Sequence, residues 1–116
     1  MAQRFGSNFG LAGRAVPSNS SSGWASVPRD TELLLYAYNV DLNLYAHIHS
    51  YERTCSKYQN KCVNNGITQV LIGMGGHYLT YGSYYDTQWS IDHDIYFGYT
   101  HIHANEIYLT FIYYHS

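Results

Sequence analysis

The chain has 116 residues, of which only 12% are charged, with a net charge of −2 and a sequence pI near 6.3. Six Lys and Arg are scattered along it, so it has no basic stripe of the kind that binds nucleic acid or an anionic membrane surface. No apolar run approaches the roughly 20 residues needed to cross a bilayer. Fourteen tyrosines and seven histidines set the composition apart, and tyrosine favours strands and half-buried surfaces.

Residues 1–28 read as a loop-rich N-terminal segment, with SNSSSGWASVP a Ser/Gly/Pro loop. The opening MAQRFGSNFGLAGRAVPS contains basic residues but no continuous apolar stretch, so no signal peptide is expected in this chain. Asn19-Ser20-Ser21 is an N-glycosylation sequon. From residue 29 onward the pattern is more regular. Asp30 or Thr31 can cap a short helix whose apolar face is Leu33, Leu34, Tyr36 and Ala37, and Asn39 is placed to end it. Residues 40–46 then alternate apolar and polar, as a strand with one buried face does.

His47-Ile48-His49 follows that strand directly. A polar loop is expected over 50–66, holding Cys55 and Cys62 with six residues between them, and the count alone suits a disulfide or two free thiols equally. Residues 67–74 read as a second strand stopped by Gly75-Gly76. Residues 77–97 look irregular, and two closing strands are expected over 97–104 and 106–114, with Asn105 at a tight turn. One short helix and about four strands make an incomplete α/β (α+β) unit, with no obvious second layer of its own.

The His-X-His segment is the sharpest chemical signal. In an extended stretch alternate side chains share a face, so both imidazoles would point the same way. Neutral imidazole ligates iron, zinc and manganese, and strand ends in α/β sheets surround the crevice where sites form. The plainer reading is two half-exposed strand histidines. For His101-Ile102-His103 and for His77 the plainer readings are preferred, surface or core strand positions and a solvated loop residue. Asp92-His93-Asp94 is not expected to converge on an ion, being three adjacent residues. Gly73-Met74-Gly75-Gly76 lacks the Lys and the helix of a phosphate loop, so it reads as a strand-ending turn. Glu52 and Arg53 are expected to make local ion pairs and hydrogen bonds behind the site.

Residues 39–53, NVDLNLYAHIHSYER, closely resemble the last metal-binding block of the purple acid phosphatases: a hydrophobic strand, Gly or Ala, His-X-His, then Tyr-Glu-Arg. The likeness continues through Thr54-Cys55, Tyr58-Gln59-Asn60-Lys61-Cys62 and Ile72-Gly73-Met74-Gly75-Gly76, and on to Trp89-Ser90 and Tyr96-Phe97-Gly98-Tyr99. It covers roughly 18–116 and matches poorly before that. The resemblance implies the C-terminal portion of a metallophosphoesterase-type αββα sandwich, with 29–116 belonging to the catalytic domain and supplying the last strands of one sheet and a helix. It implies a binuclear centre of Fe(III) plus a divalent ion (Fe, Zn or Mn), with His47 on the divalent ion and His49 on the ferric one. The implied substrate is a phosphomonoester, and the implied location is secreted or vacuolar/lysosomal, which a Cys55–Cys62 bridge and glycosylation at Asn19 would suit.

The family's other ligand segments, Asp-X-Gly, Gly-Asp-X-X-Tyr and Gly-Asn-His, do not occur in these 116 residues. Two ligands cannot hold two ions that need about five or six donors each. The chain by itself is therefore expected to be catalytically incompetent, the alternative being a non-enzymatic remnant or splice product that binds a metal or a partner. Exposed apolar edges and faces, and a weakly cooperative thermal transition, are expected of such a piece.

Overall fold

A computed structural model of the chain describes residues 29–81 and 87–116, and the backbone alone of 2–5 and 9–11. Asn19 and most of the Ser/Gly-rich segment lie outside these residues. The described part is mostly strands with one short helix, in the order β1 (Ala2–Phe5), β2 (Phe9–Leu11), α1 (Arg29–Ala37), β3 (Leu42–Tyr45), β4 (Tyr51–Tyr58), β5 (Lys61–Cys62), β6 (Ile67–Ile72), β7 (Ser90–Asp94), β8 (Gly98–Ala104) and β9 (Leu109–His115).

The helix ends where the sequence suggests, and for a backbone reason. Asn39 adopts φ of 54°, the left-handed conformation Asn tolerates better than most residues. Val40 N–H then donates to Leu35 C=O at 3.0 Å and Asn39 N–H to Tyr36 C=O at 3.1 Å. These are the two bonds of a Schellman stop.

The strands form two sheets. One runs β2-β3-β6-β4-β5, with β7 also paired to β4; the other runs β1-β9-β8. β2, β3 and β6 are parallel, while β4 returns antiparallel along the far side of β6. The chain therefore contributes to both layers of the sandwich, not only to the last strands of one sheet. The N-terminal residues join in too, β1 pairing with β9 and β2 with β3.

The expected one-sided burial of residues 40–46 is replaced by burial of all four β3 residues, as befits a parallel strand covered on both faces. Register separates those faces. Leu42, Leu44, Val70 and Tyr51 join Met74, Leu109 and Phe111 in the apolar core between the two sheets. Asn43, Tyr45, Gln69 and Glu52 lie on the opposite face, almost fully buried. The helix covers part of that polar face: Gln69 Nε2 donates to Glu32 Oε1 at 3.5 Å, and the Tyr36 ring stacks on Tyr58 at 3.8 Å.

The polar stretch expected as a loop over 50–66 is in fact a hairpin of β4 and β5, closed by a Cys55–Cys62 disulfide. A bulge between Arg53 and Ser56 shifts the pairing with β6. Thr54 Oγ1 accepts the Gln69 N–H there at 2.9 Å, in place of a ladder carbonyl. The irregular stretch 77–97 contains one strand after all, β7, which pairs with β4. The closing hairpin forms, but β9 begins at Leu109 and not at 106, because the Asn105 side chain caps a longer turn by accepting the N–H groups of Ile107 and Tyr108 at 2.8 and 2.7 Å.

Candidate metal-binding site

β3 and β6 are parallel neighbours, so the loops leaving their C-terminal ends share one edge of the sheet, the place where α/β sheets bind ligands. One loop carries His47 and His49; the other is Gly73 to Thr80. Backbone approach decides their packing. Gly73 N–H donates to Ser50 C=O at 3.1 Å, and a Cβ on Gly73 would sit 1.8 Å from the Ile48 carbonyl oxygen. Only glycine allows this contact.

The two histidines do not lie in an extended stretch. His47 has φ of 94°, and Ser50 N–H donates to Ile48 C=O at 3.0 Å, a three-residue turn with His49 at its centre. Strand alternation therefore does not set the imidazole directions; a bend does. Ala46 keeps a negative φ, so the alanine there is unstrained.

His49 is held from the second loop. Its N–H donates to Thr80 Oγ1 at 3.1 Å, and its C=O accepts the Thr80 N–H at 2.8 Å. Its ring centroid lies 4.3 Å from that of Tyr78 and 6.2 Å from that of His77. Nδ1 of His49 is buried and has no hydrogen-bond partner. Buried polar atoms are nearly always partnered, so this ring nitrogen stands out. His47 is exposed, as are His77 and Tyr78. Among the described residues no set of three His, Cys, Asp or Glu side chains converges as a metal site. At this edge His49 meets Tyr78 and Thr80, which no sequence pattern singled out, while His47 stands exposed two residues earlier.

Behind the loops the expected support is present. Arg53 pairs with Asp92 at 3.8 Å. In β7 the alternation separates the acidic pair from the histidine: Asp92 and Asp94 are half-buried and His93 is exposed. Asp94 accepts the Tyr113 hydroxyl at 3.1 Å, and the Tyr113 ring stacks on Tyr51 at 3.8 Å. Burial pushes the Tyr51 phenol up to about 12, with smaller opposing effects from Arg53 and Asp92. The Tyr45 and Tyr113 phenols are raised further still, again chiefly by burial, with Glu52 and Asp94 as the nearby charges.

Lys57 was not singled out by sequence, yet it is the least expected group in the sheet. It is 1% exposed, and its ammonium sits 4.1 Å from the centre of the Trp89 ring. Burial lowers its pKa, while Glu32 and Glu52 hold it partly up. His101 and His103 lie on β8, exposed, as surface strand positions.

No known protein-family profile matches the chain. Individual proteins do. It is 37% identical over 79 residues to a protein of Arabidopsis thaliana named probable inactive purple acid phosphatase 24, a match over 60% of this chain and 13% of that protein. It is 38% identical over 77 residues to a nucleotide pyrophosphatase/phosphodiesterase of Hordeum vulgare, over 58% of this chain and 21% of the relative. A purple acid phosphatase isolated from yellow lupin (Lupinus luteus) seeds matches 90% of this chain with a TM-score of 0.73 and 31% identity, and the match covers 22% of the lupin chain. The matches span between 13% and 22% of these three proteins.

Proposed function

Because this chain is a relative of the purple acid phosphatases by sequence and by fold, we infer that it supplies one metal-binding segment of a metallophosphoesterase, with His47 and His49 as its ligands. The observation that carries this reading is the enclosed, unpartnered Nδ1 of His49, at the edge where the parallel strands end. His47 and His49 would be this chain's contribution to holding a binuclear centre of Fe(III) and a divalent ion, which would supply Lewis acidity and a hydroxide for phosphate ester hydrolysis. The chain's own part is to present two imidazoles. Thr80 fixes the backbone of His49 on both sides, and Gly73 lets the two loops close on each other.

Two imidazoles are too few for such a centre, which needs several more donors. The reading is therefore of the C-terminal part of a larger phosphomonoesterase, not active as these 116 residues. The Arabidopsis relative's name includes the word inactive, which favours the second reading, a non-catalytic module that binds a metal or a partner chain. A secreted or vacuolar location agrees with the formed Cys55–Cys62 bridge, since disulfides persist in oxidising compartments.

The test is an aryl phosphate assay on the purified chain with iron and zinc supplied. No hydrolysis above the metal-only blank is expected, and none that changes with His47→Ala. Turnover abolished by that substitution would show the 116 residues to be a complete enzyme. Ligation itself is read separately: Mn(II) should broaden the His49 imidazole resonances, and resonances left sharp at saturating metal would refute His49 as a ligand.

A further inference from the structure

The geometry that sequence patterning assigns to His47 and His49 is found elsewhere in the molecule. β8 is a regular seven-residue strand with unbroken antiparallel pairing to β9: His101 faces Ile112 and His103 faces Thr110. Being two apart in an extended strand, the two imidazoles stand on the same face, their Cα atoms roughly 6.6 Å apart. Both residues are exposed. Among the described residues nothing is hydrogen-bonded or ion-paired to either ring. Their cross-strand neighbours bring no competing charge. β8 is the outer strand of its sheet, so solvent reaches the pair from the face and from the edge.

We propose that His101 and His103 form a chelating site for a late first-row divalent transition ion such as Cu(II), Ni(II) or Zn(II), on the outer face of the three-stranded sheet. Each imidazole contributes a lone pair at about 2.0–2.1 Å from the ion, a span that two long side chains on one strand face can close. Water fills the remaining positions, because the face is open. Hard ions such as Mg(II) and Ca(II) prefer oxygen donors and are not bound. The site is distinct from the His47/His49 edge and requires nothing of it.

The gain over a lone histidine comes from chelation. Once one imidazole has bound, the second acts at a high effective concentration, worth on the order of a hundredfold in affinity. The experiment is a titration of the full chain with Cu(II) and with Zn(II) at neutral pH, read by calorimetry and, for Cu(II), by the nitrogen splittings of its electron paramagnetic resonance spectrum. A two-nitrogen signal is expected that survives His47→Ala/His49→Ala. His101→Ala should lose about a hundredfold in affinity and retain one nitrogen. A further variant, His103→Ala with Ala104→His, keeps the histidine count but moves one imidazole to the opposite face, and it should lose the same affinity with an unchanged circular dichroism spectrum. The proposal is overturned if that variant binds as well as the wild type. It is equally overturned if the two-nitrogen signal disappears with His47→Ala/His49→Ala instead.

Discussion

Gly73 shows how one residue holds the candidate site together. Its Cα is where the end of β6 touches the turn between β3 and β4, and an added methyl would collide with the Ile48 carbonyl. Neither partner is a flexible side-chain tip, so the backbone must move. Gly73→Ala is expected to cost about 1–3 kcal/mol of stability, the range of an overpacked contact. It should also move His49, since the same turn carries both residues. The amide resonances of His49 and Thr80, bonded to each other in both directions, are the reporters. A variant with those shifts unchanged would mean that the loops do not close on Gly73. Gly75, two residues on, has open space around its Cα, so Gly75→Ala is the matched control and should leave both signals in place.

At the scale of elements, β4 explains both what the sequence revealed and what it concealed. Its core-facing Tyr51 is legible as an apolar strand residue. Glu52, Thr54 and Lys57 are not, because buried positions with polar side chains imitate a loop. What buries them is long-range: α1 brings Glu32 over the sheet, and Trp89 arrives from just before β7 to meet Lys57. No local period encodes either approach. The same limit applies to His49, whose identity is plain in the sequence but whose Thr80 clamp is a contact 31 residues away. By contrast the helix stop at Asn39 and the Asn105 turn follow from local backbone chemistry and were legible. The buried polar face yields a prediction of its own. Lys57→Met removes a buried cation that Glu32 and Glu52 stabilise. A loss of about 1–3 kcal/mol is expected, the usual range for a buried substitution, seen as a lower denaturant midpoint. Adding Glu52→Leu should recover part of it; a double variant no better than the single would mean that Lys57 acts through Trp89 and not through charge.

For the molecule as a whole, tyrosine is the residue that couples fold to pH. Three phenols, Tyr45, Tyr51 and Tyr113, are held above their ordinary value of 10.0 by burial. A raised folded pKa gives a group whose contribution is fully present below the unfolded value and is lost as pH climbs from there through the folded value. Lys57 has the opposite sense. Its folded pKa is depressed below 10.5, so the unfolded chain holds the extra proton, and stability gains as pH rises between the two. That gain is complete by about pH 10.5, where the phenol term is beginning to bite. Stability should therefore hold or improve through the mildly alkaline range and fall above about pH 10. The measurement is phenolate ultraviolet absorbance followed alongside circular dichroism. The exposed tyrosines, such as Tyr99 at 64% accessible, should ionise first and without loss of structure. Buried Tyr45 and Tyr51, and half-buried Tyr113 stacked on Tyr51, should ionise only as the strand signal disappears. If all fourteen tyrosines titrated together while the dichroism stayed native, the packing of Tyr51 against Tyr113 between the two sheets would be wrong, and with it the sandwich that sets His47 and His49 at a common edge.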